Sequence, residues 1–445
     1  MSSKRLATNN NQLPEGYKKT EVGVIPEDWE AKLLGDIFRL KNGFSFKSEY
    51  FSSSGPIVLT PGNFKLDGGL YFNDRNIKRY SGGFPESMTF KNRDLLVVMT
   101  DLTPDCNLLG KPAFVDSEET ILHNQRIGKI NLLSENINPI FLYFILLSSP
   151  YLKKIKEQAT GSTVRHTSNK SIYSISLPIP KTKEEQKAIA QTLSDVDALI
   201  ASLDKLIAKK RNIKTATMQQ LLTGKTRLPG FGGDWLEKQI GTEIDLLTGY
   251  PFPSSKYSDS GIRLLRCSNI KRGVTNWDED LIQYWSELTP DLRQYVLDDG
   301  DIVVAMDGSL VGRSFAQLSK LDLPALLLQR VARIRSDKID TSYLKEWICS
   351  VFFTEHCDSI KTVTAIPHIS PEDIRNFKIK IPATKEEQRA IAQVLSDIDT
   401  EITALEKRRA KTQAIKQGMM QELLTGRTRL KIEHPDDPIT KNSNG

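Results

Sequence analysis

Cysteine is scarce in this chain: four copies occur among 445 residues. No two of them have the spacing typical of a disulfide framework. One of them follows a histidine, but no second pair of metal ligands lies nearby in the sequence. A disulfide-stapled secreted fold and a zinc site both need such pairs. We therefore expect reduced thiols and no bound metal, the four thiols being those of Cys106, Cys267, Cys349 and Cys357.

Long apolar runs are also missing. The most apolar stretch, residues 141–147, is too short to cross a bilayer and is better explained as part of a buried helix. The opening residues MSSKRLATNNNQ are polar and lack the apolar core of a secretory signal. These absences favour a cytoplasmic protein.

Charge of one sign is only slightly in excess. The net charge is +6 and the isoelectric point is near 8.9, which favours an anionic partner weakly and is equally compatible with simple solubility. No block of lysine and arginine stands out, so a nucleic-acid surface would have to be assembled by folding.

What the chain does contain is a long internal repeat. The segment from Ile179 to Leu228 recurs from Ile381 to Leu430, shifted by 202 positions, and more than half of the aligned residues are identical. Similarity at one long period determines the architecture and must be considered first. Two copies are too few for a solenoid, so the repeat predicts a pseudo-twofold molecule.

Each copy predicts a long helix. Thr182 and Thr384 precede Lys-Glu-Glu-Gln at the spacing of a capping box, and Gly224 and Gly426 follow as C-cap glycines. The apolar residues in between recur every three or four positions, as in a coiled-coil seam. In the second copy the seam is interrupted at Arg409, which replaces Ile207, and continues through Ile415 to Met419. We expect these helices to pair with each other in antiparallel orientation and to dock partner subunits, through Ile189, Leu193, Val196, Ile200 and Leu203 and through Ile391, Leu395, Ile398, Ile402 and Leu405.

The segments outside the helices also match in outline. Asp94 to Met99 corresponds to Asp301 to Met306, and Gln125-Arg126 corresponds to Gln329-Arg330, while the residues between such anchors scarcely agree. Short strands, here predicted at 56–60, 94–99 and 125–130, followed by a helix from Asn138 to about Ile155, indicate an α+β domain. The predicted boundaries are a flexible tail (1–15), a first recognition domain (16–179), a first long helix (180–228), a second domain (229–381), a second long helix (382–430) and a flexible tail (431–445).

The repeat is organised circularly. The segment that follows the first long helix, ending in Asp234-Trp235, resembles the segment that precedes the first domain, ending in Asp28-Trp29. The N-terminal segment therefore supplies what the second long helix lacks after Leu430. This arrangement predicts two globular domains separated by antiparallel helices.

At this point the chain resembles the specificity (S) subunits of type I restriction-modification systems. The resemblance is carried by Pro-X-X-X-Glu-Glu-Gln-X-Ala-Ile-Ala at 180–190 and 382–392, and by Leu-Leu-Thr-Gly-(Lys/Arg)-Thr-Arg-Leu after each helix. It implies two target-recognition domains that each read half of a bipartite DNA site, and conserved helices that set the spacing and dock two methyltransferase subunits. It further implies restriction subunits joined through that complex, with S-adenosylmethionine and ATP bound on the partner subunits and no cofactor on this chain.

Candidate DNA contacts must come from loops at matched positions in the two domains. Arginine and lysine suit guanine, asparagine and glutamine suit adenine, and phosphates accept any basic or hydroxyl side chain. His166 and His368 also match, and we interpret them as scaffold hydrogen-bonding groups. Gln125-Arg126 and Gln329-Arg330 recur in both halves and are equally compatible with a scaffold role, since residues that discriminate different half-sites should differ. The candidates are Lys47, Ser48, Asn63, Lys65, Asn124 and Arg126 in the first domain, and Ser255, Lys256, Arg266, Asn269, Lys271, Arg272, Gln329 and Arg330 in the second.

Two other functions stay open on the sequence alone. A non-catalytic coiled-coil scaffold would explain the helices, although not two domains with diversified loops. A self-contained methyltransferase or nuclease would need motifs that we do not find, and Gly224-Lys225-Thr226 lacks the first glycine of a phosphate-binding loop because Gln219 stands there. The sequence therefore predicts a recognition protein without catalytic residues.

Overall fold

The computed structural model describes residues 13–103, 105–362 and 366–431. The two flexible tails predicted at 1–15 and 431–445 lie almost entirely outside the described residues. Contact clustering divides the chain into a first unit, Met1–Ser202 with Arg409–Gly445, and a second unit, Leu203–Arg408. Each unit thus combines one globular part with the first half of one long helix and the second half of the other.

The first unit contains short strands and short helices ahead of the first long helix. Its strands are β1 (Tyr17–Thr20), β2 (Gly23–Pro26), β3 (Trp29–Leu33), β4 (Phe38–Asn42), β5 (Phe51–Leu59), β6 (Arg79–Tyr80), β7 (Leu95–Val98), β8 (Thr100–Asp101), β9 (Pro112–Phe114), β10 (Ile121–His123), β11 (Ile127–Leu132), β12 (Arg165–His166) and β13 (Ser176–Pro180). Its helices are α1 (Leu34–Ile37), α2 (Pro139–Ile145), α3 (Ser149–Glu157), α4 (Asn169–Tyr173) and the first half of α5 (Lys183–Leu222).

The second unit has the same kind of organisation. Its strands are β14 (Leu236–Gln239), β15 (Asp245–Thr248), β16 (Ile262–Leu265), β17 (Tyr284–Trp285), β18 (Ile302–Ala305), β19 (Phe315–Gln317), β20 (Ala325–Leu327), β21 (Val331–Arg335) and β22 (Lys378–Ile381). Its helices are α6 (Thr341–Ile348), α7 (Val351–Ile360), α8 (Pro371–Arg375) and the first half of α9 (Lys385–Leu423).

Corresponding sheets in the two units have the same strand order. A four-stranded sheet runs β4-β11-β7-β9 in the first unit and β15-β21-β18-β19 in the second. A three-stranded sheet runs β10-β5-β6 in the first unit and β17-β16-β20 in the second, and each contains one parallel pair, β5 with β10 or β16 with β20. The predicted α+β class is confirmed, and the duplication extends to the order of the strands.

Two predicted elements differ from the structure. The strand expected at 125–130 begins at Ile127, because Gln125 and Arg126 form the turn that leads into it. The helix expected from Asn138 to about Ile155 is divided into α2 and α3. Asn138 caps α2 as expected, accepting hydrogen bonds from two backbone N–H groups at 2.9 Å, but Pro150 near the start of α3 has no N–H to continue the helix.

The long helices pack as antiparallel halves within each unit. In the first unit Ile189 and Leu193 share a buried core with Leu423 and Leu424. The second unit places Ile391 and Leu395 against Met218, Leu221 and Leu222 in the equivalent way. The antiparallel pairing expected from the repeat is therefore confirmed inside both units.

A matched ion pair accompanies this packing. Lys416 lies 2.6 Å from Asp197 in the first unit, and Lys214 lies 2.7 Å from Asp399 in the second. The predicted seam is wrong at Ile415, which is 48% exposed, whereas Lys416 is 5% exposed. The seam moves by one position because this part of α9 faces α2, where Lys416 lies over the ring of Phe144 at 5.6 Å.

In each unit an arginine that follows one long helix binds the glutamate at the start of the other long helix, and we call this contact the charged clamp. Arg429 binds Glu185 at 2.5 and 2.9 Å and also binds both carboxylate oxygens of Asp28, and the hydrogen bond from Arg429 holds the pKa of Asp28 below its usual range. Arg227 binds Glu387 at 2.7 Å in the second unit. Because the first clamp joins residues 401 positions apart, the circular organisation of the repeat is confirmed.

The clamp corrects the predicted capping box. Thr182 accepts a weak hydrogen bond from the backbone N–H of Glu185, at 3.4 Å, as a cap residue should. The Glu185 side chain, however, is buried and accepts hydrogen bonds from Trp29 and Arg429 instead of the Thr182 backbone. The C-cap prediction is confirmed, since Gly224 and Gly426 have φ of +69° and +71°.

Candidate nucleic-acid interface

Loops gather at one edge of the sheets in the first unit. Strand β5 pairs in parallel with β10, with Leu59 opposite His123, so the loops that follow both strands begin at the same edge. The segment after β4 reaches this edge through a bridge between Phe44 and Asn124. We call this the strand-end edge of the first unit, formed by residues 43–48, 60–65, 99–101 and 124–126.

The second unit repeats this arrangement with other residues. Strand β16 pairs in parallel with β20, with Leu265 opposite Leu327, and a bridge joins Tyr250 to Leu328. The strand-end edge of the second unit is formed by residues 249–256, 266–272, 306–308 and 328–330. The structure therefore brings loops that carry the predicted DNA contacts together within each unit.

Backbone contacts hold the turn at the centre of each edge. Phe44 N–H donates to His123 O at 2.7 Å and Gln125 N–H donates to Phe44 O at 3.0 Å. In the second unit Tyr250 N–H donates to Leu327 O at 3.0 Å and Gln329 N–H donates to Tyr250 O at 2.9 Å. A Cβ atom at Gly43 or Gly249 would overlap this turn, so both positions need glycine.

Most of the predicted contact residues are accessible at these edges. Asn124 is half-buried, and its carboxamide oxygen accepts the backbone N–H of Arg126 at 2.9 Å. The others are exposed: Lys47, Ser48, Lys65, Arg126, Ser255, Lys256, Lys271, Arg272, Gln329 and Arg330. Lys47 is 4.0 Å from Glu49, a separation that leaves its ammonium group largely free to bind an anion.

Asn63 and Asn269 are not base-reading residues, and the prediction is wrong for both. Each is fully buried at 0% exposure. The Asn63 amide accepts the Thr60 N–H at 2.9 Å and donates to Asn76 O at 3.1 Å. The Asn269 amide accepts the Arg266 N–H at 3.1 Å and donates to Asn276 O at 3.0 Å. Both side-chain amides use their hydrogen bonds to stabilise the loop that follows the central strand of the three-stranded sheet, β5 or β16.

Arg266 also differs from the prediction. Its side chain is half-buried, and its guanidinium donates to the backbone carbonyl of Leu281. This contact holds the guanidinium against its own chain, so we remove Arg266 from the set of direct DNA contacts.

The two matched histidines both contact neighbouring strands. His166 Nδ1 lies 3.1 Å from the hydroxyl of Thr100. In the second unit Asp307 occupies the position of Thr100, and its carboxylate binds His368 and also Arg330, the latter at 2.8 Å. These contacts agree with a scaffold role for the imidazoles.

A polar cavity adjoins the strand-end edge in the first unit. It has a volume of about 480 Å³ and is lined by residues that include Asn42, Thr100, Gln125, His166 and Thr167. The buried Thr167 hydroxyl has no hydrogen-bond partner among the described residues. The second unit has Ile369 and Asp307 where the first has Thr167 and Thr100, so the two edges differ chemically on the same backbone.

His123 lies directly beneath the turn in the first unit and is 1% exposed. Its Nε2 donates to the Ile127 carbonyl at 2.8 Å and its ring packs on Phe90. Burial lowers the pKa of His123 to about 4, so the imidazole is neutral at pH 7. Leu327 occupies the equivalent position in the second unit.

The residues predicted to pair the helices and dock partners are largely in the cores of the units. Ile189, Leu193, Ile200, Leu203, Ile391, Leu395 and Ile402 are buried, while Val196, Ile398 and Leu405 are half-buried. Their burial leaves little side-chain surface for another subunit. A docking surface on these helices would have to use their outward-facing polar residues.

Sequence reasoning missed the role of the Glu-Glu-Gln motif. Gln186 is 1% exposed, accepts the Asn138 N–H at 2.9 Å and donates to Pro180 O at 3.0 Å. Gln388 makes the same contacts with Asp340 and Pro382 in the second unit. The sequence did contain a signal for this role, because the same glutamine occurs at the start of both helices. A polar residue that is buried at such a position needs hydrogen-bond partners.

No metal cluster and no membrane-spanning helix are found in residues 13–103, 105–362 and 366–431. The thiols of Cys349 and Cys357 are shielded by burial, which raises the pKa of each to about 12. A cysteine nucleophile or metal ligand requires the thiolate. Neither thiol therefore has the reactivity that such a role demands.

Similarity to known proteins agrees with these observations. The model of the type I restriction modification DNA specificity domain matches residues 26–210 and 248–417. The MjaVIII specificity subunit of Methanocaldococcus jannaschii is 27% identical over 441 residues, covering 94% of this chain and 97% of that protein. The EcoAI specificity subunit of Escherichia coli is 34% identical over 173 residues, covering 38% of this chain and 29% of that protein.

Solved structures share the fold. The crystal structure of a type I S subunit from M. genitalium superposes with a TM-score of 0.55 at 16% identity, covering 94% of this chain and 98% of that one. A chain from a study of complex assembly in a type I system gives the same TM-score at 17% identity, covering 91% of this chain and 99% of that one. With two family matches on two duplicated units, the chain belongs to the type I restriction-modification specificity subunits, as a non-catalytic DNA-recognition component with two target-recognition domains.

Proposed function

We propose that each unit reads one half of a bipartite DNA target through its strand-end edge. The observation that carries this proposal is the combination of a common backbone with different side chains at the two edges. The turn at 124–126 is held by the same backbone contacts as the turn at 328–330. The surrounding loops present Lys47 and Lys65 in the first unit, against Lys256, Lys271 and Arg272 in the second. Different hydrogen-bond donors on the same fold would allow the two units to read different half-sites.

A domain replacement tests this assignment. Residues 241–379, which include the whole strand-end edge of the second unit, are exchanged for the corresponding segment of a relative with a known methylated motif. We expect one half of the methylated motif to change while the other half stays the same, as read by methylome sequencing. The matched control exchanges the corresponding segment of the first unit and should change only the opposite half. A change in both halves from either exchange would refute the assignment.

We further propose that the long helices dock two methyltransferase subunits and set the spacing between the half-sites. The duplicated helices support this, because near-identical segments in both units offer two equivalent surfaces. The restriction subunits would join through that complex, and S-adenosylmethionine and ATP would bind to the partner subunits in the cytoplasm. The structural relative from the complex-assembly study supports assembly as the mode of action.

The number of docking surfaces can be measured directly. Native mass spectrometry of the co-expressed complex should give two methyltransferase subunits for each copy of this chain. The complex is then titrated with additional methyltransferase. A complex that remains one-to-one in excess partner would contradict two equivalent docking surfaces.

A further inference from the structure

The exposed Gln-Arg pair at the turn of each strand-end edge needs an explanation that the fold does not supply. Gln125-Arg126 and Gln329-Arg330 are identical and exposed, although the loops around them have diverged. In the described part of the chain, the side chains of Gln125, Arg126 and Gln329 make no hydrogen bond or ion pair. The fold alone therefore does not require these side chains.

The same backbone hydrogen bonds hold the pair in both units, although Arg330 has a positive φ of +74° and Arg126 does not. The residue before the glutamine differs, being Asn124 in the first unit and Leu328 in the second. The glycine that packs beneath the turn is nonetheless retained as Gly43 and Gly249. A rigid turn offers both side chains with little further loss of backbone freedom on binding.

Residues that distinguish two half-sites should differ between the units, whereas residues that contact what every duplex shares should be the same. The shared feature of all duplex DNA is the phosphate backbone, and arginine with glutamine can bind it through charge and hydrogen bonds. We infer that the Gln-Arg turn of each unit is a sequence-independent phosphate anchor that positions the variable loops on the bases. This inference rests on the proposed DNA-reading function and assigns one class of contact within it.

The two anchors differ in one respect. Arg330 is 58% exposed but shares the Asp307 carboxylate with His368. In the first unit Thr100 stands in place of Asp307, so no carboxylate occupies that position. Removing Arg330 alone would leave Asp307 facing the DNA, and the repulsion would obscure the lost contact. The second-unit test therefore uses Asp307→Thr as its background.

The test measures DNA affinity of the full chain, assembled with its methyltransferase partners, as a function of salt. Two duplexes are used, one with the methylated motif and one with that motif scrambled. Each neutralised phosphate contributes about 0.9 to the slope of log K against log salt. We expect Arg126→Ala to lower that slope by about 0.9 and to weaken binding of both duplexes about eightfold at 0.1 M salt. Arg330→Ala should do the same in the Asp307→Thr background.

Two matched variants separate charge from other effects. Gln125→Ala removes a neutral hydrogen-bonding group, so binding should weaken with the slope unchanged. Arg93→Gly removes an exposed arginine near the opposite end of β7, at a position with φ of +67° where the second unit has Gly300, and should leave the slope unchanged.

The outcomes distinguish the inference from the function on which it rests. A wild-type complex that binds neither duplex would refute the proposed DNA reading itself. A wild-type complex that binds, with variants whose slope is unaltered, would refute the anchor alone. Loss confined to the duplex with the motif, or a changed methylated motif in the Arg126→Ala strain, would show base reading and would equally overturn the anchor. A uniform loss with an unchanged motif supports it.

Discussion

At several equivalent positions the two units have chemically different side chains on a similar backbone. His123 and Leu327 occupy one position beneath the turn of the strand-end edge. Asp307 and Thr100 occupy another position, beside the matched histidines. Such replacements change charge, hydrogen bonding and pH response at fixed geometry, so they can be interchanged between units as matched variants.

The first prediction concerns His123. Its pKa of about 4 in the folded state lies below the usual 6.5, so the unfolded chain binds the proton more tightly. Stability is therefore complete above about pH 6.5 and falls as the pH is lowered towards 4. Between pH 7 and pH 4.5 we expect protonation of His123 to lower the free energy of unfolding of the first unit by roughly 2–3 kcal/mol. Hydrogen exchange of the β10 and β11 amides, measured at both pH values, reports the loss.

His123→Leu supplies the matched comparison because Leu327 fills the same place in the second unit. The variant should cost about 1 kcal/mol at pH 7, through the hydrogen bond lost to the Ile127 carbonyl. In return it should remove most of the extra loss at pH 4.5. Equal acid sensitivity in wild type and variant would mean that the burial of His123 does not govern the acid response of this unit.

At the scale of elements, the two helix pairs are equivalent in direction but not in composition. In the first unit Lys416 packs over Phe144, next to Tyr143 on α2. In the second unit the equivalent positions on α6 are Glu346 and Lys345, and Glu346 is 1% exposed. Burial alone would lower the pKa of Lys345, but the Glu346 carboxylate raises it above the usual range. The second pair thus buries an ionic network where the first buries aromatic rings.

This difference gives a prediction for a double-mutant cycle. Glu346→Phe alone leaves Lys345 partly buried without its closest carboxylate, at 2.7 Å, and should destabilise the second unit by roughly 2–4 kcal/mol. Adding Lys345→Tyr recreates the arrangement of the first unit and should recover at least about 1 kcal/mol. Hydrogen exchange of the α6 amides measures both values. Strict additivity of the two substitutions would rule out the coupling.

Elements were predicted well from the sequence where one period dominates, as in the two long helices with their C-cap glycines. The sequence could not show that Glu185 turns from the helix start towards Trp29 and Arg429, because the partners lie 156 and 244 positions away. It could not separate Asn63 and Asn269 from exposed asparagines either, since the buried amides serve local loops. The break at Pro150 was visible, but the apolar pattern on both sides outweighed it.

At the scale of the whole molecule, the long helices are the parts of the chain shared by both units. The division between units falls after Ser202 in α5 and after Arg408 in α9. The ion pairs of Asp197 with Lys416 and of Lys214 with Asp399 lie several residues from these two points, whereas the pair of Arg211 with Glu406 and the buried side chain of Leu203 lie close to them. An insertion of seven residues at both points should therefore keep the distant ion pairs and leave the nearer residues on almost the same face of each helix.

The last prediction uses this property to test whether the helices measure DNA. Seven residues with the apolar pattern of the seam are added after Ser202 and seven after Arg408, which lengthens each helix by ~10 Å while turning the seam by only ~20°. If the helices set the spacing, the methylated motif should keep both halves and gain about three base pairs between them, at ~3.4 Å each. Loss of methylation with intact binding of the methyltransferase subunits would also fit a spacer, because the added ~34° of twist per base pair moves the second half-site around the duplex. An insertion in α5 alone is the control. It should disrupt the helix pairing, since the two helices of the pair would then differ in length. An active double-insertion variant with the original gap would show that the helices serve only to dock the partner subunits.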